Sequence, residues 1–218
     1  MNGPSIRGAD RLFFTIMNKM LYLASQSPRR MELLRQIGIT PILLPLRNIP
    51  PRGDVDEASL PGEAPQEYVR RLALMKARAG LKAMSGRGLV SRPILAADTT
   101  VTLDGVLLGK PRDAADAAAM LRAYSGRVHE VLTAVCVAFG DHLGVRVSTS
   151  QVRFRTLGEA EIQAYIATGE VWDKAGAYGI QGHAAVFIEQ LAGSYTGVMG
   201  LPLFETAELL REVGVNSL

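Results

Sequence analysis

Short apolar runs alternate with helix-patterned amphipathic stretches from residue 20 onward, and this alternation restricts the chain to helices packed on a mixed β-sheet. Residues 20–24 read as a short buried strand. Residues 28–37 read as a helix with Leu33, Leu34 and Ile37 on one face and Gly38 as its stop. Six prolines between 41 and 65 predict an irregular connection there. A long helix is expected over 64–84, with Val69, Leu72, Ala73 and Lys76 on nearby turns. A break follows over 86–93, then a wholly apolar strand over 94–97. Segments 99–103 and 106–108 flank Asp104-Gly105, a dipeptide that favours the type I′ hairpin turn. Asp113 is placed to cap a helix that runs to Tyr124 and stops at Gly126. Segments 130–139 and 145–154 read as strands around a turn over 140–144. A helix over 159–167, a Gly-rich loop over 172–182, a strand over 185–189 and a closing helix over 203–213 complete the pattern.

A chain of 218 residues is long enough for one large domain or two small lobes with a real core, and 48% apolar against 21% charged residues is a globular composition. Lys and Arg number 24 against 21 Asp and Glu. That surplus argues against a nucleic-acid binder, whose basic residues gather on one face, and suits a local anion pocket. No apolar run reaches the roughly 18 residues of a membrane span, so no membrane partner is expected. Residues 1–19 read as a loosely structured extension whose apolar patch, 12–16, is too short for a signal-peptide core. The single cysteine, Cys136, cannot form an internal disulfide and lies in an apolar run, as a buried thiol would in a reducing cytoplasm.

Four segments carry candidate chemistry. Ser25-Gln26-Ser27-Pro28-Arg29-Arg30 joins the first strand to the first helix. Ser27 suits the N-cap and Pro28 the first helical position. Arg29 and Arg30 then put two cations in the first turn, where each opposes the helix dipole at a cost of a few tenths to about 1 kcal/mol. Free backbone N–H groups, two hydroxyls and two guanidinium groups make a phosphate cradle; a surface pair bonded to carboxylates such as Glu32 is the alternative. In Ala96-Ala97-Asp98-Thr99-Thr100 an acid stands at the expected end of an apolar strand, where α/β sheets hold ligands. Such a carboxylate suits binding a divalent cation, orienting a water, or capping a turn.

Gly109-Lys110-Pro111-Arg112-Asp113 superficially echoes a P-loop. Its glycine spacing is wrong and Pro111 replaces the hydroxyl residue, which excludes that reading. Lys110 remains a candidate phosphate ligand because the hairpin returns it toward Asp98. The loop 173–182 has three glycines among small residues, which permits close backbone approach, and Gln181 offers a base edge both a donor and an acceptor. Its alternative is a purely structural loop. Glu57 is a candidate metal ligand or part of a solvated acidic loop, and Lys76 shares the long helix with Arg70 and Arg71. His129, His142 and His183 lack metal-ligand spacing; His129 is expected to pair near Ser125-Gly126 with no catalytic role, and Trp172 to pack.

Taken in order, LASQSPRRMELLRQIGI (23–39), VDE (55–57), YVRRLALMKARAG (68–80), LAADTTV (95–101), GKPRDAADAAAML (109–121), SGRVHEVLTAV (125–135) and DKAGAYGIQG (173–182) resemble the Maf family of nucleoside triphosphate pyrophosphatases. The last segment looks like the branch that hydrolyses dTTP and UTP rather than the one acting on 7-methyl-GTP. The chain departs from the commonest family pattern between Pro45 and Asp54, where extra Pro-rich residues precede Glu57. The resemblance implies an α/β fold of inosine-triphosphatase-like architecture: a single domain over 20–218, with a bent mixed sheet and two lobes around a central cleft. It implies a homodimer and a divalent metal cation, Mg2+ or Mn2+. It implies Asp98 as proton acceptor, and Arg29, Thr99 and Gln181 as positions linked to substrate choice. Ser25, Arg30, Glu57, Lys76 and Lys110 match polar residues of the cleft, with Glu57 and Asp98 as the metal-binding carboxylates. The rival functions are a pyrophosphatase for 7-methyl-GTP or another modified nucleotide, and a nucleotide-binding regulator of cell division that hydrolyses nothing.

Overall fold

The computed structural model describes residues 19–47 and 53–217. The extension expected over 1–19 therefore lies, apart from Lys19, outside the described residues, as do 48–52 of the Pro-rich segment. The described chain forms one mixed sheet of seven strands: β1 (Met20–Leu23), β2 (Thr40–Leu43), β3 (Ile94–Leu103), β4 (Val106–Leu108), β5 (Val128–Phe139), β6 (His142–Phe154) and β7 (Ile188–Ala192). Their order is β2-β1-β3-β5-β6-β7, with β4 also on β3. The described helices are α1 (Pro28–Gln36), α2 (Pro65–Gly86), α3 (Ala114–Tyr124), α4 (Glu159–Ala167), the short α5 (Tyr195–Val198) and α6 (Leu203–Glu212).

The sheet is forked at β3. One edge of β3 pairs with antiparallel β5 without a break, from Ile94↔Ala138 to Thr102↔Glu130. The other edge meets parallel β1 only at its start, Tyr22↔Ile94 and Leu23↔Leu95, and antiparallel β4 only toward its end, Val101↔Leu108 to Leu103↔Val106. Between those contacts residues 96–100 of β3 have no strand partner on this edge. This gap is the floor of the cleft.

Two lobes share the long strands. In the first, alternation along β3 sends Ile94 and Ala96 to one face and Leu95 and Ala97 to the other. Val69, Ala73 and Ala77 of α2 cover the first face, which Ala134 and Cys136 of β5 extend. Leu33 and Leu34 of α1 and Leu209 and Leu210 of α6 cover the second with Val135 and Val137. Gly80 lets α2 close on the sheet, since a Cβ there would stand 2.7 Å from Ile94 Cγ2. In the second lobe Val101, Leu103, Val152 and Phe154 pack against Leu121 and Tyr124 of α3 and Ile162 and Tyr165 of α4. Cys136 is fully buried, as its apolar run predicts, and burial pushes its thiol up to about 12.

Several elements depart from their sequence pattern. The strand expected to end before Asp98 continues through it, because the ladder to β5 does not depend on side-chain polarity. The connection expected to be irregular contains β2 despite Pro41; β2 is an edge strand, where a missing N–H is tolerated. The β5–β6 turn is shorter than expected, since Phe139 already pairs with His142. The last strand begins at Ile188, not 185, because His183–Phe187 form a 3-10 turn whose buried residues, Ala184 and Phe187, are three apart. The Asp104-Gly105 turn has φ of +52° and +79°, as a type I′ hairpin requires. Asp113 caps α3, accepting from the Asp116 N–H at 2.8 Å.

Candidate active site

Asp98 sits in the β3 gap, midway between the β1 and β4 contacts, and its residue surface is only 8% exposed. Its parity with Ile94 and Ala96 turns the side chain toward α2. There Lys76 projects from the helix with its Nζ 2.6 Å from Asp98 Oδ1 and 2.7 Å from Glu57 Oε1, so one ammonium bridges two carboxylates. Glu57 belongs to the loop before α2, pinned where Tyr68 donates its hydroxyl hydrogen to the Glu57 carbonyl at 3.0 Å. The extra residues upstream do not remove Glu57 from the cleft.

Arg30 works from the other face of β3. Its Nε donates to the Gly200 carbonyl at 2.8 Å, Nη1 to Ser25 Oγ at 3.1 Å and Nη2 to Thr99 Oγ1 at 3.2 Å. These bonds tie α1, the loop after β1, β3 and the turn after α5 into one wall. Burial lowers the Arg30 pKa, against the opposing pull of Asp98 and Glu57. Three of its five N–H groups are thus engaged by the protein, and two are left for a ligand. Thr99 Oγ1 lies 2.9 Å from Thr133 Oγ1, and Thr133 donates its only hydroxyl hydrogen to the Gly197 carbonyl at 2.8 Å. The hydrogen between the two hydroxyls therefore belongs to Thr99, which receives Arg30 and presents only an acceptor to the cleft.

The cleft, about 850 Å3, is lined by Ser25 to Arg30, Glu57, Lys76, Asp98, Thr99 and Lys110, among others. It brings together every residue that the resemblance assigns to catalysis, substrate or metal except Gln181. Ser27 occupies the N-cap position of α1, but its side chain accepts no bond from the helix, so its hydroxyl and the first-turn N–H groups face the cleft uncommitted. Arg29 stands at the mouth and also lines a side pocket of about 230 Å3 with Glu170, Lys174, Gly179, Gln181 and Gly182. Gln181 is exposed and belongs to that side pocket. Lys110 is 66% exposed and lies 3.8 Å from Asp173 at the opening.

Lys174, given no role in the sequence, lines both cavities. It stands just ahead of the three glycines and Gln181 in the loop 173–182. His129 does not pair near Ser125; its Nε2 lies 2.7 Å from the Tyr178 hydroxyl, and Ser125 Oγ instead accepts from the Leu157 N–H at 2.8 Å. Burial pushes His129 down to about 4, so it is neutral at pH 7 and structural. Trp172 is 41% exposed, so it packs only in part.

Among the described residues no three His, Cys, Asp or Glu side chains converge as a metal cage. The oxygen donors of Glu57 and Asp98, gathered on one ammonium, do fit a hard divalent cation that takes its remaining ligands from phosphate and water.

A family model described as "Maf-like protein" matches residues 20–213. The dTTP/UTP pyrophosphatase of Nitrosospira multiformis is 56% identical over 203 residues, covering 93% of this chain and 98% of its own. The dTTP/UTP pyrophosphatase of Aromatoleum aromaticum is 57% identical over 197 residues, 89% of this chain and 95% of its own. That of Nitrosomonas europaea is 54% identical over 197 residues, 90% and 95% respectively. Among solved structures, the Staphylococcus aureus Ham1 protein aligns with 62% of this chain and 72% of its own at a TM-score of 0.43 and 16% identity, a likeness too loose to carry an argument.

Proposed function

Because the chain belongs to the Maf family, we propose that it hydrolyses dTTP and UTP to the nucleoside monophosphate and pyrophosphate. The observation that carries this reading is the position of Asp98: a carboxylate in the gap of a forked sheet, held by Lys76, in one cleft with Arg29 and the open start of α1. A helix N-terminus with free N–H groups beside cations is a site for phosphate. A carboxylate beside that site repels phosphate unless it holds a cation or takes up a proton, so it suits catalysis better than binding alone.

In this reading the triphosphate lies against the start of α1, with Arg29, Lys110 and the two free N–H groups of Arg30 on its oxygens. Asp98 accepts a proton from water as the water oxygen bonds to the α-phosphorus. The bond from that phosphorus to the bridging oxygen breaks in line, and pyrophosphate leaves with the electron pair. Thr99 and Gln181 contact the nucleoside part and take part in substrate choice. Glu57 and Asp98 would hold Mg2+ or Mn2+, which when bound neutralises phosphate charge and favours the departing pyrophosphate. Acting as a homodimer in the cytoplasm, on canonical or modified pyrimidine nucleotides, belongs to the same proposal. No described helix is long and apolar enough to cross a membrane.

Pyrophosphate release from dTTP, UTP, CTP and 7-methyl-GTP, with and without Mg2+, tests the reading. Metal-dependent release from dTTP and UTP supports it. Release from 7-methyl-GTP alone overturns the branch, and tight nucleotide binding without any product makes the chain a binding protein instead. In water labelled with oxygen-18 the label should enter the monophosphate.

A further inference from the structure

Most cations of the cleft are committed to the protein. Arg30 has three internal acceptors, Lys76 two carboxylates and Lys110 the distant Asp173. Arg29 and Lys174 differ. Among the described residues neither makes a hydrogen bond or an ion pair, yet they lie close enough for the Arg29 charge to disfavour that of Lys174. Desolvation is the larger cause of the lowered Lys174 pKa, so this ammonium is drawn out of water without a bonded partner. Glu170 and Asp173 are the nearby carboxylates, and neither bonds it: Glu170 accepts from the His183 N–H at 2.9 Å and stands 2.5 Å from His183 Nδ1, and Asp173 lies 3.8 Å from Lys110.

The placement of Lys174 is built into the loop. A Cβ on Gly179 would lie 2.8 Å from Lys174 Cε, 3.1 Å from its Cδ and 3.8 Å from Arg29 Nη1. Gly179 is not in the left-handed region, so its role is room: it lets the lysine stem lie across the loop beside the arginine. Two unpaired cations held side by side at the junction of two cavities repel each other until an anion joins them.

We propose that Lys174 and Arg29 form a two-pronged clamp on a phosphate group of the substrate, with Gly179 as the seat of the lysine. The assignment rests on the pyrophosphatase reading above and adds Lys174 as a substrate-binding residue. It gives the glycine between Tyr178 and Ile180 a reason that loop flexibility does not.

The test uses the full chain and its Lys174→Met, Lys174→Arg and Gly179→Ala variants. Inorganic tripolyphosphate, as an inhibitor of UTP hydrolysis, probes the phosphate site without a base, and uridine probes the base site without phosphate. Lys174→Met should weaken tripolyphosphate inhibition about tenfold or more, the loss expected for one charge-assisted bond, and raise the KM for UTP more than it lowers kcat. Uridine binding should be unchanged, and Lys174→Arg should recover most of the loss. Gly179→Ala should change tripolyphosphate inhibition in the same direction. Unchanged tripolyphosphate inhibition in Lys174→Met, or a loss confined to uridine, would overturn the clamp. Failure of the unaltered protein to release pyrophosphate would instead sink the pyrophosphatase reading.

Discussion

Replacing Lys76 by methionine keeps a long flexible stem and removes the charge that lies between two carboxylates. Lys76 and Asp98 have side chains only 16% and 12% exposed, whereas Glu57 is 49% exposed and can turn to solvent. The loss therefore falls on Asp98. Removing one partner of a buried ion pair costs about 3–5 kcal/mol; water reaching Asp98 from the cleft lowers this to about 2–3 kcal/mol. In a domain of this size about 1 kcal/mol moves the thermal midpoint by about 2–4 °C, so Tm should fall by about 4–12 °C. Asp98→Asn leaves Lys76 an amide oxygen and Glu57, and should cost about 1 kcal/mol or less. The double variant has no uncompensated carboxylate, so it should be more stable than Lys76→Met alone, with a coupling of about 1–2 kcal/mol. Urea denaturation of the four proteins at pH 7 measures the cycle. An unchanged midpoint in Lys76→Met, or two losses that simply add, would show that Lys76 does not compensate Asp98, and the account of the site would be wrong.

Other substitutions test other links. Asp98→Asn should reduce pyrophosphate release from UTP by at least about a hundredfold with Tm within a few degrees of the unaltered protein, and near-normal turnover would remove Asp98 as the base. Thr133→Val removes the acceptor for the Thr99 hydrogen, so substrate preference should shift and Thr133→Ser should restore it; identical kcat/KM ratios across a panel of triphosphates would refute the relay. Gly80→Ala puts a methyl 2.7 Å from Ile94 Cγ2 and should cost about 1–3 kcal/mol by overpacking, read as a lower urea midpoint. His129 has a folded pKa pushed down to about 4, below its unfolded value near 6.5. Its contribution is therefore complete above about pH 6.5 and is lost as pH falls toward 4, about 3 kcal/mol in all. His129→Gln should flatten the pH dependence of stability in that window, and an unchanged slope would contradict it.

The site was legible in the sequence where chemistry and local structure coincide. Two arginines just after Pro28 suit a helix start that faces an anion, and the fold turns that start toward the cleft that holds Asp98. Asp98 itself was legible as an acid beside an apolar run, but not as a mid-strand residue. The gap that exposes it arises from β1 and β4 meeting opposite ends of β3, a pairing set by contacts distant in sequence. Lys76 was one polar residue on an amphipathic helix until the sheet brought Asp98 to it. The edge position that permits Pro41 in β2 is likewise a property of the assembled sheet. Thr133 lies in an apolar strand pattern, and nothing local marks its hydroxyl as the group that orients Thr99. Lys174 is illegible for a different reason: Arg29, the cation beside it, is far away in the chain, and a lysine in a loop carries no periodic signal.

The most direct measurement is a crystal structure of the Asp98→Asn variant with UTP and Mg2+ bound. The phosphates should lie against the start of α1 and Arg29, with the α-phosphorus facing residue 98 across a single water. Phosphates bound elsewhere, or an α-phosphorus turned away from the gap in β3, would contradict it.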